Sequence, residues 1–272
     1  MDVTTRAVAL KATDYKESDK LVLLYSLEYG KISVHARGVR KSTAKLKFAC
    51  DQFCFGQYEL AQTGDRYTLK TCTELTSFYT LREDVFTYYA ACTAAECLVN
   101  YTEEGQSDPK VFVALLRALQ QLTSGVEPLL VTLKFVLDFL ELGGFKLDFS
   151  RCTQCGATPA KLYLDVERGG VACDNCRGAN SVLISAKTVS ACKMLDGFPY
   201  EKLKNLNFTL DTLKEALSVC NKYISHSFLP LRSLAELIKL AYCGRATRNC
   251  KYTPHTTEMT RVISFFNYYA YF

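Results

Sequence analysis

Two Cys-x-x-Cys pairs, Cys152/Cys155 and Cys173/Cys176, with 17 residues between them, constrain this chain more than any other feature. Each pair closes a tight turn that aims two sulfurs at one point, and four thiolates at this spacing suit a single tetrahedral Zn2+. Gly156, directly after Cys155, and Gly178, two past Cys176, stand where such turns favour positive φ. Between the pairs, residues 161–166 read as a strand, 167–170 as a turn and 171–173 as a return strand, so the quartet is expected to clamp a β-ribbon. Four protein ligands leave no open position for water, which points to a structural site rather than a catalytic one. Arg151, Lys161, Arg168 and Arg177 lie close enough in sequence to offset the roughly −2 charge of a zinc tetrathiolate.

The remaining nine cysteines (Cys50, Cys54, Cys72, Cys92, Cys97, Cys192, Cys220, Cys243 and Cys250) form no disulfide-like framework and read mostly as small buried hydrophobes. The first residues carry no apolar signal-like run, and no stretch approaches the roughly 18 apolar residues that span a bilayer. A cytosolic protein without membrane contact is the expectation.

Charge is distributed in three blocks. Residues 1–80 hold 12 Lys/Arg against 9 Asp/Glu, residues 81–150 hold 5 against 10, and residues 151–272 hold 16 against 9. An acidic middle repels a polyanion and basic flanks attract it, so nucleic-acid contacts are expected towards the two ends. Five short apolar runs at 7–10, 21–25, 31–36, 53–60 and 67–71 read as strands separated by polar or glycine-containing turns. Five strands in this length fit a small Greek-key barrel, of which the OB-fold is the commonest that meets nucleic acid; composition leaves an SH3-like barrel open.

In the third strand, alternation sets Ile32, Val34 and Ala36 on one face and Lys31, Ser33, His35 and Arg37 on the other, so the basic set is expected to face outward. The strand runs into Arg40, Lys41, Ser42, Thr43, Lys45 and Lys47. Residues 31–47 thus carry six Lys/Arg and no carboxylate, and this run is expected to hold phosphates, with Ser42 and Thr43 adding hydroxyl contacts.

After residue 81 the period changes to three or four. Val85, Tyr88, Tyr89, Cys92, Ala95 and Val99 mark a first helix; Asp108-Pro109 and Glu127-Pro128 open two more, the second nearly apolar all round and therefore a buried centre. Beyond the ribbon, residues 185–195, 209–228 and 233–242 read as helices. The expected class is α+β: an OB-like barrel (1–80), a helical domain (81–150 and 181–243) interrupted by the four-cysteine ribbon (151–180), and a basic, aromatic tail (244–272) with no assigned fold.

Taken in order, Tyr15-Lys16-Glu17-Ser18-Asp19-Lys20-Leu21-Val22, Tyr29-Gly30-Lys31-Ile32, Ala36-Arg37-Gly38-Val39-Arg40-Lys41-Ser42, Leu81-Arg82-Glu83-Asp84, Arg151-Cys152-Thr153-Gln154-Cys155-Gly156, Gly169-Gly170-Val171-Ala172-Cys173-Asp174-Asn175-Cys176 and Tyr223-Ile224-Ser225-His226 resemble the bacterial recombination mediators of the RecO family. The resemblance implies a non-catalytic protein of DNA repair. It would bind single- and double-stranded DNA, anneal complementary strands, recognise the C-terminal tail of single-strand DNA-binding protein, and with RecR help load the recombinase RecA on covered DNA. It also implies a bacterial cytoplasmic location, at the nucleoid when bound to DNA. Carried onto this chain, Arg37, Arg40, Lys41 and Ser42 would contact DNA backbone and the four cysteines would hold zinc. Arg232, where the family commonly has lysine, would pair with a carboxylate of the tail.

Three histidines, His35, His226 and His255, fall in unrelated segments, and no phosphate-cradling glycine loop or nucleophile elbow occurs, so an enzyme is disfavoured. An OB-fold RNA-binding protein and a zinc-thiol redox chaperone are the alternatives that the motifs leave open.

Overall fold

A computed structural model describes residues 1–158, 161–178 and 181–243. The tail expected at 244–272, including Cys250 and His255, lies outside the described residues. The first five strands, β1 (Asp2–Tyr15), β2 (Asp19–Ser26), β3 (Gly30–Ala36), β4 (Phe55–Thr63) and β5 (Arg66–Thr76), close into a barrel in the order β1-β2-β3-β5-β4. Every pairing is antiparallel except the closure of β3 on β5, which is parallel and short: Val34 faces Tyr67 and His35 faces Thr68. All five expected strands form, and β1 is much longer than its apolar run. Only its middle is buried on both faces. Ala7 and Ala9 point into the barrel, while Val8 and Leu10 point out onto the helices.

The helices are α1 (Val85–Tyr101), α2 (Pro109–Thr123), α3 (Pro128–Leu142), α4 (Ala186–Leu195), α5 (Leu210–Ser227) and α6 (Arg232–Cys243). Asp108 caps α2 by accepting from Lys110 N at 2.8 Å, with Pro109 at the first helical position, where its missing N–H costs nothing. Helix α3 is the buried centre expected of it, with one addition. Lys134 is also buried, its Nζ 2.5 Å from Asp138 Oδ1 one turn on and 5.4 Å from the ring centroid of Tyr200.

The ribbon is broader than expected. Four strands, β6 (Asp148–Cys152), β7 (Leu162–Asp165), β8 (Gly170–Ala172) and β9 (Val182–Ile184), make a sheet in the order β6-β8-β7-β9. The expected hairpin is β7-β8, turned at Gly169 with φ +65.

The barrel keeps an interior core of its own, and its outer face joins the core of the helices. Val8, Leu10, Tyr25 and Phe53 from the barrel side join Phe112, Leu115 and the interior of α1 and α3. Tyr25 stacks on Phe112 at 6.4 Å between centroids, and Phe53 meets Tyr88 edge-on at 6.2 Å. Gly30 marks the tightest approach: its φ is +62, and a Cβ there would lie 1.9 Å from the carbonyl oxygen of Gln106. Among the described residues no helix is long and apolar enough to cross a membrane.

Candidate functional site

The barrel's third strand has two different outer ends. At its start Lys31 is buried, and its Nζ donates to the Val99 carbonyl near the end of α1 at 2.8 Å. Its own carbonyl accepts from Gly105 N at 3.0 Å. Burial pulls its ammonium below the usual lysine range, with the nearby Glu104 pulling it back up. The expectation that Lys31 faces outward with the basic set is therefore corrected. Alternation placed it on the outer face, but the helical domain covers that end of the face, and Lys31 serves as a strut between barrel and helices.

The other end of β3 is open. Arg37, Lys41, Ser42, Lys45 and Lys47 are exposed, and the backbone from 37 to 47 winds as turns without a strand or helix of its own. Val39 anchors this segment, buried in the barrel core beside Ala36. His35 is half-buried and engaged: its Nε2 lies 2.7 Å from Asp19 Oδ2. Asp19 also accepts from Gly38 N at 2.8 Å and from Ser18 Oγ at 2.9 Å. The Gly38 amide first, then His35 and Ser18, hold its carboxyl down to about 2. An ionised carboxylate only accepts, so His35 carries a proton on Nε2.

Arg40 is likewise engaged. Its Nη2 lies 3.2 Å from Asp14, its Nη1 donates to the Lys16 carbonyl at 3.0 Å, and its backbone N–H donates to Ser18 O at 2.9 Å. Six uncompensated cations were expected from residues 31–47. Carboxylates from the β1–β2 region, invisible to a reading confined to that run, engage Arg40 and His35. The exposed cations of this run that form no ion pair among the described residues are Arg37, Lys41, Lys45 and Lys47.

The four cysteines converge. The Sγ atoms of Cys152, Cys155, Cys173 and Cys176 all lie within 4.8 Å of one another, and Cys155 and Cys173 are 3.8 Å apart. A zinc–sulfur bond of about 2.3 Å in a tetrahedron sets sulfur–sulfur edges near 3.8 Å, so this donor set fits a tetrahedral metal ion. Cys152 receives the Cys173 N–H at 3.4 Å, and the backbone amides of Cys155, Cys173 and Gln154 draw its thiol down to about 6. Hydrogen bonding among the crowded sulfurs, from Cys173 first, pushes Cys176 up to about 12. Gly156 takes φ +72, as the first turn requires, whereas Gly178 does not enter the left-handed region. Two of the four cations expected to offset the cluster are committed locally: Arg168 pairs with Asp165 at 3.2 Å, and Arg177 lies 3.9 Å from Asp174 and 4.6 Å from the Tyr163 ring. Of the other cysteines that are described, Cys243 alone is exposed; the rest are buried, as small hydrophobes should be.

Arg232 begins α6 and is exposed. Its backbone N–H and that of Ser233 donate to the two oxygens of Glu96 on α1, at 3.0 and 2.8 Å. Sequence reasoning could not find this partner, since it lies 136 residues away.

Residues 1–78 match the family described as Recombination protein O N terminal, and residues 82–235 match Recombination protein O C terminal. A DNA repair protein RecO of Clostridium novyi (strain NT) is 30% identical over 226 residues, covering 82% of this chain and 88% of its own. One from Clostridium kluyveri is 31% identical over 228 residues, with 82% and 88% covered, and one from Bacillus subtilis (strain 168) is 28% identical over 229, with 83% and 90% covered.

Proposed function

The chain belongs to the RecO family of DNA repair proteins, and from that premise we propose that it is a non-catalytic recombination mediator whose barrel holds DNA through its open cationic end. In this reading it binds single- and double-stranded DNA and anneals complementary strands. With RecR it helps load RecA on DNA covered by single-strand DNA-binding protein, in the bacterial cytoplasm and at the nucleoid when bound. One structural Zn2+ sits in the cysteine cluster, where it holds the ribbon and takes no part in chemistry. Arg232, at the start of α6, is the side chain offered to a carboxylate of the single-strand DNA-binding protein tail.

The observation that carries the reading is the exposed run of Arg37, Lys41, Lys45 and Lys47 on an irregular backbone beside the barrel. Exposed cations contact a phosphate backbone without selecting its sequence, which is what annealing any two complementary strands requires. Each phosphate neutralised releases condensed counterions, so the contact has a measurable signature in salt.

The test is annealing of complementary oligonucleotides coated with cognate single-strand DNA-binding protein, alongside DNA titrations over a salt series. Removing three of the charges together, as Arg37→Ala, Lys41→Ala and Lys45→Ala, is expected to slow annealing. It should also reduce the slope of log affinity against log salt by about 2 to 3. Lys31→Ala, which removes a strut, should leave that slope as in the wild type. Equal slopes for the triple variant and the wild type would place the phosphates elsewhere.

A further inference from the structure

The motif from Tyr15 to Val22 has no part in the phosphate run, yet its first residue is held in an arrangement that folding alone does not explain. Tyr15 ends β1 and is 38% exposed. Its ring meets His35 edge-on, with centroids 5.3 Å apart and planes at 88°, and His35 is fixed by Asp19. The turn that follows is pinned by Arg40, which grips the Lys16 carbonyl through Nη1 and Ser18 O through its backbone N–H. Lys16 itself sits at φ +53, a conformation a side-chain-bearing residue adopts only when its surroundings impose it. Its Nζ lies 5.2 Å from the Tyr15 ring centroid. Leu21, paired in register with both Thr13 and His35, is 37% exposed on the same outer face.

Tyr15 keeps more than a third of its surface in solvent while its ring is held between His35 and Lys16. An exposed ring beside a cation suits stacking on an unpaired base, and a single strand offers base faces that an intact duplex keeps stacked.

We propose that Tyr15 is a base-stacking platform, and that it gives this end of the barrel a preference for single-stranded over duplex DNA. The inference rests on the DNA-binding reading above. It assigns the phosphates to Arg37 and the residues after it, and the bases to Tyr15, with Leu21 as an apolar shelf beside it.

Two variants test it. Tyr15→Ala is expected to lose roughly five- to a hundredfold in affinity for oligothymidylate, the range for one lost base–aromatic stack, and to lose at least fivefold less for a duplex of equal length. The chain contains no tryptophan, so Tyr15→Trp introduces a single indole reporter at the site. Its emission should be quenched by oligothymidylate in proportion to binding measured independently by filter retention. Equal losses of Tyr15→Ala on single strand and duplex, or an indole unmoved at saturating bound oligothymidylate, would overturn the stacking role while leaving DNA binding intact. Wild-type protein that retains neither DNA form at low salt would instead overturn the DNA-binding reading itself. A Tyr15→Ala protein that fails to fold by circular dichroism leaves the decision to the Tyr15→Trp quenching.

Discussion

Asp19 joins three elements through two oxygens: His35 on β3, the Gly38 amide in the loop after it, and Ser18 in the turn before its own strand. Its carboxyl is held down to about 2, against about 3.9 in an unfolded chain. A depressed value contributes stability that is complete above the unfolded value and is lost as pH falls through the folded one. The wild type should therefore lose thermal stability between about pH 4 and pH 2 more steeply than Asp19→Asn, with midpoints followed by circular dichroism. Curves falling in parallel would remove Asp19 from the acid response. At this scale the sequence was partly legible. Alternation identified the outward side of β3, because the period of a strand is a property of the chain alone. It could not distinguish Arg37 from Lys31, because what covers a face depends on the helices that fold back onto it.

At the scale of elements, helix starts were legible where the cap is local. Asp84, Asp108, Glu127, Ser185 and Thr209 each accept from a backbone N–H two or three residues on. Helix α6 takes its cap from Glu96 of α1 instead, so its start also welds two helices together. Glu96→Ala is expected to cost about 1–2 kcal/mol, since it removes both the acceptor and a negative charge at a helix N-terminus. That should appear as a midpoint lowered by about 2–4 °C per kcal/mol, with Glu96→Gln retaining part of the stability. A Glu96→Ala protein that melts with the wild type would show the cap to be dispensable. The cysteine spacing made the β7-β8 hairpin readable, but β6 and β9 were not. β6 is a largely polar run of five residues and β9 only three residues long, too short for an alternation to show.

For the molecule as a whole, the joint between barrel and helices decides what a domain means here. Gly30 permits the approach of the segment around Gln106, and no side chain fits there. Gly30→Ala is expected to destabilise by more than about 2 kcal/mol, combining a left-handed backbone with a clash. Gly64→Ala shares the backbone cost, at φ +58, with nothing within 4 Å to collide with. The difference between the two midpoints measures the close approach alone, and equal losses would mean the joint yields freely. Phe78 and Leu81 stand on either side of the boundary expected after residue 80, and both are buried in the core that barrel and helices share. Apolar packing therefore runs across that boundary. Cutting the chain there is expected to leave each half with a raw apolar wall, and the intact chain is expected to melt in one cooperative transition by calorimetry; two separate transitions would make the halves independent.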